Sequence, residues 1–229
     1  GALDIQTNNG SANLSAGSNN QITGNLTARL GIGALTVNNN NALTLGDIAV
    51  GALTLTTVGE NSSIVATGTN TITGVIAVDA ASGNGNLTLS NSVETSLGNI
   101  TANVASFDVS AGNLTQVSGN LAVLGLDIQT NNANANLSYG TYNQVSGNLT
   151  ARLGTGDLTV TNNNALTLGD ITAGAVTLNT SAANGDIVAT GTNAITGVIA
   201  VDAGTGNLTL SNSVNTSLGN ITASFAGLN

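Results

Sequence analysis

The chain has 229 residues, a formal net charge of −9 from 2 Lys+Arg against 11 Asp+Glu, and no His, Cys, Met, Trp or Pro. So acidic a surface with two cations cannot neutralise a phosphate backbone, which argues against nucleic acid as a partner. The lack of His and Cys removes the commonest general base and the thiol nucleophile. Disorder is disfavoured because 41% of the residues are hydrophobic.

The chain repeats itself over a long period. The segment LDIQTNN at 3–9 returns at 126–132, an offset of 126 − 3 = 123 residues. Three more segments, at 24–31, 42–48 and 72–80, return with the same offset, and 86–93 returns with an offset of 207 − 86 = 121. A fixed long period is typical of repeat proteins, in which each unit buries its apolar face by stacking on its neighbours.

This repetition defines the predicted domain organisation. We predict one continuous β-solenoid segment over 1–229, without a separate globular domain. Within it, long repeats occupy 3–102 and 126–223, and residues 103–125 link them.

Apolar-x-apolar triplets mark the predicted strands in chain order. They begin at Leu35, Leu43, Leu53, Ile76 and Leu87, and again at Leu158, Leu166, Val176, Ile199 and Leu208. A period of two places both aliphatic side chains on one face and the central Thr or Ala on the other. Gly, Asn, Ser and Asp between the triplets favour turns. Strands this short suit a coil that turns a corner and stacks on itself better than a hairpin sandwich.

The spacing also predicts the size of the solenoid. Two or three sides make a rung of about 20 residues, so the chain holds about eleven rungs. At about 4.8 Å between stacked strands, the shaft is about 50 Å long. We expect ladders of Asn side chains at the runs 38–41 and 162–164. The fold class is therefore all-β, a parallel β-helix.

Short GNLT, GALT and GDI units carry a family resemblance. They stand at Gly24-Asn25-Leu26-Thr27, Gly33-Ala34-Leu35-Thr36, Gly46-Asp47-Ile48, Gly112-Asn113-Leu114-Thr115 and Gly206-Asn207-Leu208-Thr209. Over nearly its whole length the chain resembles the shaft repeats of filamentous-haemagglutinin-like exoproteins, the large secreted adhesins of two-partner secretion systems. The resemblance implies a right-handed parallel β-helix exported to the bacterial surface, with an adhesive or fibrous role.

Candidate catalytic and ligand-binding residues are sparse. Carboxylates that recur in both repeats are Asp4, Asp47 and Asp79, with Asp127, Asp170 and Asp202. Two of them could form the acid/base pair of a sugar-cleaving β-helix. However, the centre of Leu-Asp-Ile faces outward and the Gly-Asp unit is typical of a turn, so surface roles are favoured. We predict no catalytic residues, no cofactor and no metal site, although Gly-Asp turns leave structural Ca²⁺ open.

Three other features are ambiguous. Arg29 and Arg152, one in each repeat, are expected to lie along the surface or to pair with Asp. Tyr139 and Tyr142 replace Ala16 and Asn19 of the first repeat, either as a contact site or as a filled corner. Asn-x-Ser/Thr sequons, which are glycosylation acceptors or a by-product of turn-plus-strand chemistry, begin at Asn13, Asn25, Asn61, Asn86, Asn99, Asn113, Asn136, Asn148, Asn207 and Asn220.

The functional expectation is a non-enzymatic extracellular fibre or shaft of a bacterial surface adhesin or filament. The alternatives are a repetitive surface that binds a polysaccharide or ice lattice, and a β-helical carbohydrate-active enzyme. No apolar run approaches the roughly 20 residues that span a bilayer, so no transmembrane segment is expected. A polar cap is recognisable neither at Leu3-Asp4-Ile5 nor at 225–229. Solenoid ends need covering, so the expected partner is self, by end-to-end stacking or continuation of the polypeptide, with a host surface or polysaccharide as a further candidate.

Overall fold

The computed structural model of the chain describes residues 1–17, 19–80, 82 and 84–229, and this part contains 25 strands and no α-helix. The first thirteen strands are β1 Leu3–Gln6, β2 Ala12–Leu14, β3 Asn25–Arg29, β4 Leu35–Asn39, β5 Leu43–Val50, β6 Leu53–Thr57, β7 Ile64–Ala66, β8 Asn70–Ile72, β9 Val75–Ala80, β10 Leu87–Asn91, β11 Thr95–Val109, β12 Leu114–Gln116 and β13 Leu121–Thr130. The other twelve are β14 Ala135–Leu137, β15 Gln144–Val145, β16 Asn148–Arg152, β17 Leu158–Thr161, β18 Leu166–Ala173, β19 Val176–Asn179, β20 Ile187–Ala189, β21 Asn193–Ile195, β22 Val198–Asp202, β23 Asn207–Leu210, β24 Ser217–Thr222 and β25 Phe225–Leu228. The prediction of an all-β chain is confirmed.

Strands stack in parallel on strands one turn earlier in the chain. Leu3 pairs with Leu26, a separation of 26 − 3 = 23 residues, and Leu87 pairs with Ala105, a separation of 105 − 87 = 18. The strands form a β-solenoid of about 11 turns, which confirms the predicted fold class and number of rungs. The right-handed sense stays a prediction.

The inward and outward faces follow the triplet pattern. All twenty aliphatic residues of the ten triplets are buried, whereas their ten central Thr or Ala residues are half-buried or exposed. The largest buried side chain, Phe107, is stacked between Leu89 of the preceding turn and Ile128 of the following one. Burial of one such side chain stabilises the fold by about 1.5–3 kcal/mol, so the core is a sum of many similar layers.

The Gly-Asp-Ile units form bulges inside strands. Leu26 pairs with Leu45 but Ala28 pairs with Ile48, so strand β5 carries one extra residue at Gly46 and Asp47. A Cβ on Gly46 would lie 2.6 Å from the Thr27 methyl group, so glycine allows this side chain to pack against the bulge. The sequence predicted a turn here, and that detail is wrong: the strand continues through the bulge and bends, as β-bulges cause strands to do.

Stability should depend sharply on which face a substitution enters. Leu89 is 2% exposed, and Leu89→Asp would place an unpaired charge in the aliphatic layer, costing several kcal/mol of unfolding free energy. Its neighbour Thr88 is exposed, and Thr88→Asp should cost less than about 1 kcal/mol. Urea unfolding followed by circular dichroism measures both, and equal losses would contradict the assigned faces.

Candidate functional site

Asparagine side chains act as extra peptide units inside the corners of the solenoid. Asn39 accepts the Ile22 N–H through Oδ1 at 2.7 Å and donates through Nδ2 to the Ile22 carbonyl at 3.0 Å. Three further asparagines bond both backbone groups of one residue in the preceding turn: Asn91 with Ile72, Asn162 with Val145 and Asn212 with Ile195. Each amide satisfies a backbone donor and a backbone acceptor at a corner, where leaving buried groups unpaired is costly.

The asparagine ladders expected at the two runs take a different form. Asn39 and Asn162 are buried there, but their amides bond to backbone and not to another asparagine. The reason is the next turn, where Asn39 is paired with Thr57, which has no amide. An amide-to-amide contact occurs between Gln116 and Asn143, with two hydrogen bonds of 2.9 and 2.8 Å.

A ladder of Asx side chains does exist, on an exposed corner that the sequence reasoning missed. Asn113 Oδ1 accepts the Asn134 N–H at 3.0 Å, and Asn134 Oδ1 accepts the Asp157 N–H at 2.8 Å. Asp157 Oδ1 then accepts the Ala175 N–H at 2.7 Å. The available signal was the spacing of these residues, 134 − 113 = 21 and 157 − 134 = 23, which matches the length of a turn.

One polar atom in each repeat lacks a partner among the described residues. The Oδ1 atoms of Asn70 and Asn193 are buried and have no hydrogen-bond partner. These residues are 193 − 70 = 123 apart, so the arrangement recurs in both repeats. In the preceding turn Asn70 is paired with Ile48 and Asn193 with Ile171, and these aliphatic side chains offer no donor.

The recurring carboxylates hold the backbone of the shaft. Asp47 Oδ1 accepts the Thr69 N–H at 2.9 Å, and its repeat partner Asp170 accepts the Thr192 N–H at 2.8 Å. Asp79 and Asp202, at the ends of strands β9 and β22, each accept one backbone N–H, from Ser82 at 2.9 Å and from Gly204 at 3.1 Å. Within the described residues, no group of three or more Asp and Glu side chains is placed to hold a metal ion.

Both arginines face carboxylates in the turn below. Arg152 Nη2 contacts the two Asp127 oxygens at 2.9 and 2.8 Å, whereas Arg29 Nη1 lies 3.8 Å from Asp4 Oδ1. The Thr27 hydroxyl donates to Asp4 at 2.6 Å and is the main cause that lowers the pKa of the Asp4 carboxyl. Desolvation opposes this effect, while Gln6 and the Arg29 charge lower the pKa further.

The asparagines of all ten predicted sequons are exposed. The buried asparagines of the corners belong to none of these sequons. Tyr139 and Tyr142 are also exposed, at 62% and 66%.

Removing an internal amide should destabilise the shaft more than removing a surface one. Asn39→Ala removes the side-chain partners of the half-buried Ile22 N–H and C=O, and each lost hydrogen bond should lower the unfolding free energy by about 1 kcal/mol. The matched control Asn41→Ala truncates a half-buried side chain in the same run and should cost about 0.5 kcal/mol or less. Thermal and urea unfolding of the two variants gives the comparison; a control as damaging as Asn39→Ala would refute the assigned role.

The pKa of Asp4 should follow its hydroxyl donor. Thr27→Val removes the main cause of the lowered pKa, so the pKa should rise towards its ordinary value, and Arg29→Gln should raise it less. NMR titration of the Asp4 carboxyl carbon measures both, and a larger rise in Arg29→Gln would show that the ion pair dominates. Because the folded pKa lies below the unfolded one, this contact's contribution is complete above the unfolded pKa and is lost as pH falls through the folded pKa.

Comparison with known families identifies repeats in the second half of the chain. A family model described as repeats of unknown function (DUF5649) matches residues 155–224, in the second repeat. No curated protein and no solved structure matches the chain significantly. Among the described residues, no helix is long and apolar enough to cross a membrane.

Proposed function

We propose that this chain is a non-enzymatic segment of an extracellular shaft, belonging to a bacterial surface adhesin or filament. The observation that carries the proposal is the parallel stacking of turn on turn, which runs from the pairing of Leu3 with Leu26 to that of Leu210 with Leu228 and continues through the bulges. In such a stack every turn is held by its neighbours, so a rod of any length can be made by adding turns.

The polar contacts support the same proposal. Asx side chains bond backbone groups of neighbouring turns on both the inside and the outside of the corners, as Asn162 and Asn134 do. The recurring carboxylate Asp47 and the cation Arg152 are also engaged in contacts between turns. Side chains used in this way stiffen a rod along its axis. The extracellular bacterial setting rests on the resemblance of the GNLT and GDI units to exported adhesin shafts.

We further propose that both ends of the segment are covered, by further turns of the same polypeptide or by another copy. The apolar layer is only half covered at the first turn, where Leu3 and Ile5 are half-buried. At the last turn Leu218 is 50% exposed, and a cavity of about 210 Å³ lies between Leu210, Leu218 and Leu228. Open strand edges and exposed core are the features that promote end-to-end pairing.

The purified chain should be a rod that grows by its ends. Eleven turns at about 4.8 Å predict a length of about 53 Å for the single chain. Small-angle scattering should give this length at low concentration, and sedimentation at rising concentration should show species that lengthen at constant width. A compact particle would contradict the shaft. A monomer that never grows would contradict the covered ends.

The cellular setting has its own test. Immunogold labelling of intact cells of the source organism should decorate the cell surface. Label found only after permeabilisation would contradict the extracellular assignment without affecting the shape of the rod.

The ice-lattice alternative has one favourable observation. Outward Thr36 and Thr54 are paired in adjacent turns, a spacing of about 4.8 Å. The next residue in that column is Ala77, so the aligned hydroxyls do not continue. A thermal hysteresis assay tests this alternative: activity would support it, and freezing at the normal point would remove it.

A further inference from the structure

A polar trough runs along the outside of the shaft near its middle. Its centre is the register column Thr56, Asp79, Thr101, Ala122 and Gln144, one residue from each of five successive turns. Two contiguous depressions of about 370 and 270 Å³ share Thr101 and Ala122 and together form this central trough. Four steps of about 4.8 Å give it a length of about 19 Å.

The lining of the central trough is made of hydrogen-bonding groups around small side chains. The small outward side chains of Ala77, in the turn of Asp79, and of Ala122, in the turn after Thr101, leave room beside the Thr56 and Thr101 hydroxyls. Asp79 is half-buried, and the Ser82 N–H bonded to its Oδ1 orients the carboxylate. A concave surface with a few fixed polar groups is the usual form of a ligand site.

An exposed tyrosine is attached through its backbone to a residue that lines this trough. Asn120, which lines the trough, accepts the backbone N–H of Tyr142 at 3.2 Å. Asn143 is buried, so the residues on either side of it, Tyr142 and Gln144, share the outer face. Asn143 itself bonds to both amide atoms of Gln116, which makes the support under Tyr142 rigid.

A second trough supplies an internal comparison. It is lined by the repeat-related residues Thr177, Asn179, Ala200, Asp202, Asn220 and Thr222 and has a volume of about 250 Å³. Its carboxylate Asp202 is also oriented by a backbone N–H, from Gly204. This trough supplies a control residue for Asp79, and Asn19, the first-repeat counterpart of Tyr142, supplies the replacement for the ring.

We infer that the central trough binds a neutral, hydroxyl-rich glycan chain laid along the shaft axis. A tyrosine offers an apolar face with a polar tip, which suits the C–H face of a sugar ring. Carboxylate, amide and hydroxyl side chains then accept and donate hydrogen bonds to sugar hydroxyls, and bonds to a charged acceptor are the stronger ones. A structural shaft requires none of this, so the inference goes beyond the proposed function.

Charge decides against an anionic ligand. The chain has a formal net charge of −9. Its two arginines lie beside Asp4 and Asp127, in a different strand column from the trough. An anionic polymer would meet Asp79 without a compensating cation. A peptide joining as an added β-strand is also disfavoured, because the strands that line the trough already pair on both sides, as β9 does with β6 and β11.

The experiment is a binding titration of the whole chain with soluble polysaccharides. Dextran, laminarin and arabinogalactan serve as neutral probes, and heparin and poly-lysine as charged controls. Tyr139 and Tyr142 are the only tyrosines and the chain has no Trp, so its intrinsic fluorescence reports directly on this region. We expect a saturable fluorescence change with at least one neutral probe and none with heparin. Calorimetry gives the affinity independently of the fluorophore.

Matched variants locate the site. Tyr142→Asn, which installs the first-repeat residue, and Asp79→Asn should each weaken binding about tenfold or more. The controls Tyr139→Ala, again the first-repeat residue, and Asp202→Asn in the second trough should leave the affinity unchanged. Scattering of every variant checks that the rod is intact, so loss of the glycan site is distinguished from loss of the shaft.

Several results would overturn the inference. These are the absence of calorimetric binding to all three neutral polysaccharides, preferential binding of heparin, and binding of poly-lysine that requires Asp79 but not Tyr142. Equal weakening by Tyr142→Asn and Tyr139→Ala would also count against the trough, since it would place the contact at the corner as a whole.

Discussion

Parallel stacking of one turn on the next is the constraint on which the rest of the structure depends. A parallel strand finds its hydrogen-bond partners only in the turns above and below, so each turn must present its inward residues in register with its neighbours. Leu89, Phe107 and Ile128 show the result, an apolar column that continues although the side chains differ in shape. Outside the bulges, alternation then places the intervening residues on the outer face.

Corners are the weak points of such a stack, because the chain leaves the strand and its backbone groups lose their partners. The side-chain amides of Asn39 and Asn162 each replace a peptide unit, accepting from and donating to the backbone, whereas Asn134 on the outside accepts one backbone N–H. The unpaired Oδ1 of Asn70 marks a corner where the solution is incomplete, since the turn below carries Ile48.

Much of this fold could be predicted because the strand pattern has a period of two and depends only on neighbours in sequence. Triplets such as Leu53-Thr54-Leu55 therefore gave the correct faces. The bulge at Gly46 and the partner of Asn39 could not be predicted, because both depend on residues one turn away, Thr27 and Ile22. The central trough was missed for the same reason: its column of outward residues comes from five turns, and the only local signal was the pair of tyrosines.

The shaft proposal depends on the inward positions of the stacked turns, and the glycan proposal depends on the outward positions. Inward side chains must match from turn to turn, and this favours a rod that can be extended indefinitely. Outward side chains are free to vary, so Tyr142 can occupy the position at which the first repeat has Asn19. The most direct test of the stacked rod uses the absence of cysteine to place spin labels at outward-facing positions. The pairs Thr88→Cys/Thr209→Cys and Thr44→Cys/Thr209→Cys lie six and eight turns apart on one side of the shaft, with a lateral offset of two residues because Thr167 pairs with Asn148 and not with Thr150. Electron double resonance should give distances of about 29 and 38 Å, an increment of about 4.8 Å per turn. Distances that do not increase with the number of turns would contradict the solenoid.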